Sequence, residues 1–136
     1  MSRSTVFALL AAAALGMPAA AQDLGTIEFM NSCAQCHGID GKGDGPVTPH
    51  LLTPPPDLTV LSQMNGGVFP IADVYSIIDG TADVAVHGGR DMPVWGDRYM
   101  TEMREDTTAH YSWAEARAYA LNRVLVLVEY IASIQE

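Results

Sequence analysis

The sequence predicts an all-α fold of three to five helices with no substantial sheet. Three observations lead there. Near the end of the chain, Ala120, Val124, Leu127 and Ile131 recur at helical spacing, with Leu121 and Val128 widening the stripe. Upstream, glycine and proline cut the chain into loops that carry no periodic apolar face of their own. Ahead of both, Cys33-Ala34-Gln35-Cys36-His37 concentrates reactive side chains in five residues, a centre around which helices can pack.

Taken in order, residues 1–21 read as a cleavable secretory signal. Arg3 supplies the positive start, residues 6–15 the apolar run, and Ala19-Ala20-Ala21 the small-residue cleavage site before Gln22. That run is shorter than the about 20 residues a spanning helix needs, and an uncleaved tether is the alternative. Residues 22–136 then form one domain, 115 residues long, in an exported, periplasmic location.

The first helix is expected over residues 23–37, running into the cysteine motif. Gly25 and Phe29 fall on one of its faces. Glycine costs about 1 kcal/mol in a helix relative to alanine, so Gly25 marks a close approach by another element. Residues 38–56 hold Gly38, Gly41, Gly43, Gly45, Pro46 and Pro54-Pro55-Pro56, a wrapping loop. Asp57 caps a short helix over residues 58–64, which Asn65-Gly66-Gly67 stops. A helix over residues 71–79 follows Pro70 and ends at Gly80, with Val74, Ile77 and Ile78 as its apolar stripe.

Residues 81–100 read as loop, and the charged stretch from 97 onward as an exposed insertion reaching residue 111. Ser112 and Glu115 form a capping box for the last helix, residues 113–134. Residues 124–128 are β-branched enough to suggest a strand; the long helical flanks decide for helix.

The chemistry starts from the two cysteines, the only two in the chain. Two thiols at this spacing can each add across a vinyl group of one haem, and the adjacent His37 can take the proximal position on its iron. The competing readings are a thioredoxin-like disulfide, which wants a preceding strand that is missing here, and a zinc site, which lacks a fourth ligand.

For the sixth ligand the chain offers Met30, Met64, Met92, Met100 and Met103, and His50, His87 and His110. Met92 is preferred, because it sits in a loop whose backbone Pro93 restrains. Trp95 and Gly96 follow closely enough to lay an aromatic ring against the cofactor edge. His87 would instead make a bis-histidine site. A ligating imidazole donates its other N–H to a carbonyl. Pro56 is preferred for that carbonyl and Pro46 is the runner-up.

The formal net charge is −9. The leader carries one charge, Arg3; without it 6 basic and 16 acidic residues leave −10. Such a surface argues against nucleic acid as partner. It suits a protein partner with a basic docking face, or plain solubility. No segment after the leader is long and apolar enough to span a membrane, so no integral membrane segment is expected after cleavage.

The Cys33–His37 motif, Met92-Pro93 in a late loop, and the terminal run Leu127-Val128-Glu129-Tyr130-Ile131-Ala132-Ser133-Ile134 together resemble a monohaem class I cytochrome c. The resemblance spans most of residues 22–136. It implies that the first and last helices cross, with Gly25 and Phe29 meeting Leu127 and Tyr130. It also implies that Pro56-Asp57-Leu58 stands for the segment whose proline carbonyl accepts the histidine N–H. The residues 97–111 have no counterpart in it. Class II cytochromes carry their motif at the opposite end of the chain.

The resemblance implies one covalent haem c, with iron held by His37 and Met92, and one-electron transfer to redox protein partners. It implies a carrier and not an enzyme. The alternatives are a haem subunit of a larger periplasmic oxidoreductase and an open-site haem sensor or enzyme.

Overall fold

The computed structural model describes residues 19–82, 92–106 and 109–136, with side chains from residue 24 onward. The proposed leader therefore lies almost entirely outside the described residues, as does His87. Six α-helices and no strand occur among the described residues. They are α1 (Ala19–Ser32), α2 (Ala34–His37), α3 (Leu61–Met64), α4 (Ile71–Asp79), α5 (Trp95–Glu105) and α6 (Trp113–Ser133). Two of them, α2 and α3, are single turns, so the four longer helices fall within the expected three to five.

The last helix, α6, is the spine against which α1, α4 and α5 pack. Its start is fixed by a complete capping box. Ser112 Oγ accepts from the Glu115 N–H at 3.3 Å, and the Ser112 N–H donates to Glu115 Oε2 at 2.7 Å. Ala116, Ala120, Val124, Leu127, Val128 and Ile131 are its buried face, the stripe that the periodicity predicts. Residues 124–128 are helical, because that stripe continues unbroken through them.

The first and last helices cross at Gly25. A Cβ there would lie 2.7 Å from the Val126 carbonyl oxygen and 2.9 Å from Tyr130 Cβ, so only glycine lets the backbones meet. One turn on, the rings of Phe29 and Tyr130 sit 4.9 Å apart, and Phe29 and Leu127 are wholly buried. Fully burying a side chain of that size is worth about 1.5–3 kcal/mol.

The first helix is interrupted at Cys33, between α1 and α2. The loop after α2 folds back on it: the Gly43 N–H donates to the His37 carbonyl at 2.8 Å and the Gly45 N–H to the Cys36 carbonyl at 3.1 Å. Gly43 has φ +79°, and a Cβ on it would meet the Pro55 carbonyl oxygen at 2.4 Å. A single 3₁₀ turn, Thr48–His50, lies in this loop. Another, Leu58–Val60, opens the helix expected over residues 58–64; its cap Asp57 accepts from the Thr59 N–H at 2.8 Å.

One expectation fails. The stretch after Trp95 is not an exposed insertion but the helix α5, packed along α6. Tyr99, in its middle, is only 1% exposed, and Trp95 5%. Five charged residues hide the signal, yet Trp95, Tyr99 and Met103 stand four apart and define one face. Sequence reading weighed the charge of the segment over the spacing of its few apolar residues.

Candidate haem site

The Pro-rich loop, α2, α4, the start of α5 and the Met92 loop enclose an apolar cavity of about 290 Å³. Cys33, Cys36, His37, Pro56, Met92 and Trp95 all line it. The sequence thus named six residues more than fifty positions apart at the extremes, and the fold brings them to one cavity. Among the described residues, Met92 is the only methionine in the lining. Met30 and Met64 are 42% and 78% exposed, and Met100 packs against the core away from the cavity. His50 and His110 are exposed and outside it, and Pro46 is exposed and outside it too.

Local sequence explains each placement. The N–H groups of Cys36 and His37 both bond the Cys33 carbonyl, at 3.1 and 2.9 Å, so the motif is wound into a tight turn. That turn holds both thiols and the imidazole on the cavity wall. Pro54, Pro55 and Pro56 have no N–H to satisfy and present apolar rings and carbonyls to the interior. Trp95 begins α5, and Met92 and Pro93 lie immediately before it, so packing of α5 on α6 delivers Met92 to the cavity.

The electrostatics of the wall are distinctive. The Cys33 thiol is pushed up to about 12, first by burial and then by Glu28 and Cys36. A thiol held neutral in this way is poorly suited to thiol–disulfide exchange, which disfavours the dithiol reading. Both cysteines are unpaired with each other.

The His37 imidazole is pulled below its ordinary range by burial, an effect that the Pro56 carbonyl partly opposes. That carbonyl faces the ring without meeting hydrogen-bond geometry, so Nδ1 stays a buried nitrogen without a formal partner.

Behind the wall lie two ion pairs that sequence reading missed. Glu28, 4% exposed, accepts from Tyr99 O–H at 2.5 Å and Ser32 O–H at 2.8 Å, and pairs with Arg123 at 2.5 Å. Asp79, also 4% exposed, takes a two-pronged bond from Arg117, at 2.8 and 3.2 Å. Both arginines are on α6, and neither acidic residue looks unusual in the sequence. The only trace was the arginines' spacing: Arg117 and Arg123 interrupt an otherwise uncharged stretch of α6.

The family model for cytochrome c matches residues 23–118. The chain belongs to the cytochrome c family. Comparison with curated proteins and with solved structures returns no match. As a cytochrome c the chain carries covalently bound haem c with its iron and serves as a haem-binding electron carrier. Members of the family are generally electron carriers and not enzymes, and their partners are redox proteins. No helix among the described residues is long and apolar enough to cross a membrane.

The cavity of this cytochrome fits the group. It is lined almost wholly by apolar side chains, with two thiols for covalent attachment and an imidazole beside them. The buried, unpartnered His37 Nδ1 is the nitrogen that a ligating ring turns toward a backbone carbonyl.

Proposed function

We propose that this cytochrome is a periplasmic monohaem electron carrier with histidine–methionine ligation. Cys33 and Cys36 form the thioether links, His37 and Met92 bind the iron, Pro56 orients His37 and Trp95 packs on the cofactor. The observation that carries this reading is the convergence of Cys33, Cys36, His37 and Met92 on one apolar cavity.

Haem iron supplies the one-electron couple. The protein's part is to keep that couple cheap to turn over. Cys33 and Cys36 would anchor the group and His37 and Met92 would hold its iron from fixed places in the cavity lining, so little would have to reorganise when the iron changes oxidation state. The apolar lining and the Met92 thioether favour the less charged ferrous form and raise the potential. The cysteines anchor and do not themselves cycle.

Electrons reach partners through the edge of the haem that the cavity leaves open. The exposed face of α5, with Asp97, Glu102 and Glu105, supports a partner with a basic docking face. Arg98 lines the same surface as these three carboxylates, and Arg98 and Arg104 are both exposed. Arg98 stacks on Trp95 at 4.7 Å and Arg104 on Trp113 at 4.2 Å.

The test is the optical spectrum of the mature protein, made with haem-attachment machinery, in both oxidation states. The expected result is a c-type reduced spectrum with the weak far-red band of methionine sulfur on ferric iron. Met92→Ala should abolish that band, lower the potential and open the reduced form to carbon monoxide. An unchanged potential in Met92→Ala would exclude Met92 as ligand. Carbon monoxide binding to the parent protein would favour an open-site haem protein.

A further inference from the structure

The buried pair of Glu28 and Arg123 is not needed to hold haem, yet it lies directly behind the wall that does. Glu28 bonds Ser32, and Ser32 lines the cavity next to Cys33. Tyr99, which also bonds Glu28, packs its ring 5.9 Å from that of Trp95, another lining residue. Arg123 is on α6. Its side chain is 34% exposed against 5% for Glu28, and its guanidinium rests over Tyr99 at 5.2 Å and Tyr119 at 5.4 Å. The pair is therefore uneven: Glu28 is the buried member, close enough to the lining residue Cys33 to act on its thiol as a charge, while Arg123 is partly exposed with its Nε buried.

We propose that Glu28 is a positioning residue for electron transfer, and that the uneven Glu28–Arg123 pair lowers the reduction potential of the haem. The inference rests on the haem placement proposed above. Ferric haem carries one more positive charge than ferrous haem. A fixed, buried carboxylate stabilises the ferric form more than a partly solvated guanidinium destabilises it. Tyr99 and Ser32 prevent the carboxylate from turning away, because each donates to the same oxygen. The device opposes the upward push from the thioether and the apolar lining. It leaves the chain with a potential below the one its axial ligands alone would set.

The experiment is a pair of charge-removing variants of the holoprotein, Glu28→Gln and Arg123→Gln, titrated for midpoint potential at low and high salt. Glu28→Gln should raise the potential and Arg123→Gln lower it, and the double variant, which lacks the whole pair, should lie above the parent and below Glu28→Gln. Both shifts should survive high salt, because the pair is largely shielded from it. A purely structural role would destabilise both proteins and move the potentials together or not at all, and either pattern overturns the proposal.

If Glu28→Gln does not accumulate with haem, Arg123→Gln decides alone. A lowered potential supports the proposal, and an unchanged or raised one overturns it. The parent protein's far-red band reports the axial ligands separately, so failure of the ligand assignment and failure of this inference are distinguishable.

Discussion

At the residue scale, single atoms carry much of the argument. Gly25 has space for a hydrogen and nothing more. Gly25→Ala should cost about 1–3 kcal/mol by overpacking against Val126 and Tyr130. Denaturant unfolding measures this, and a loss under about 0.5 kcal/mol would mean that the two helices can part freely. Asp79 is buried, but its partner Arg117 is 40% exposed at the side chain, so the pair is worth less than an enclosed one. Asp79→Ala should therefore cost roughly 2 kcal/mol, below the 3–5 expected for breaking a fully buried pair. A neutral result would mean that solvent already satisfies Arg117. Cys36→Ser should leave haem joined by one thioether, visible as a mass unchanged in haem content and a red-shifted reduced band. A doubly linked product would refute the attachment assignment.

At the element scale, caps and close approaches decide where helices sit. Ser112→Ala removes the side-chain acceptor at the start of α6 and should cost about 1 kcal/mol. The carboxyls of Glu115 and Asp57 are both held below the ordinary carboxylate range. Glu115 is lowered by the Ser112 backbone N–H and hydroxyl, Asp57 by the Thr59 hydroxyl and N–H. Their folded values lie below their unfolded ones. Their contributions are therefore complete above the ordinary carboxylate range and fade as pH falls through the depressed folded values. An acid titration followed by helix circular dichroism should show this limb, and Asp57→Asn should flatten it. An identical acid limb in the variant would remove Asp57 from the account. The helix α5 teaches a second point at this scale. Its start approaches α4 so closely that a Cβ on Gly96 would meet Asp79 Oδ1 at 2.5 Å, and this contact sets the position of Trp95. Gly96 was noticed in the sequence, but its contact with the Asp79 carboxylate, 17 residues earlier, was not.

At the scale of the whole molecule, the cofactor is part of the core. An empty apolar cavity of about 290 Å³ would cost at most roughly 7 kcal/mol by the usual volume dependence. That is comparable to the whole stability of a small domain, about 5–15 kcal/mol. Protein made without haem attachment should consequently lack a cooperative thermal transition, and a sharp melt near that of the holoprotein would contradict this. The acidic balance of the chain acts at the same scale. Neutralising Glu102, Glu105 and Asp106 should slow electron transfer to a basic partner at low salt and have little effect at high salt. No change at low salt would make α5 simply a solvated face.

The sequence by itself determined the all-α class, the attachment motif, the capping box, α4 to the residue and the crossing partners Gly25 and Tyr130. The first four rest on spacing along the chain, which helical geometry converts directly into shared faces; the crossing partners are what the resemblance to class I cytochromes c implies. Met92 was legible because a proline marks its loop. The fold alone decided that α5 is a helix with Tyr99 at its centre, and that Glu28 and Asp79 are buried against Arg123 and Arg117. Those facts depend on pairings across 38 and more residues, and a charged side chain reads as solvated until its partner is located. Burial of a charge is a property of two elements meeting, and only the tertiary structure brings them together.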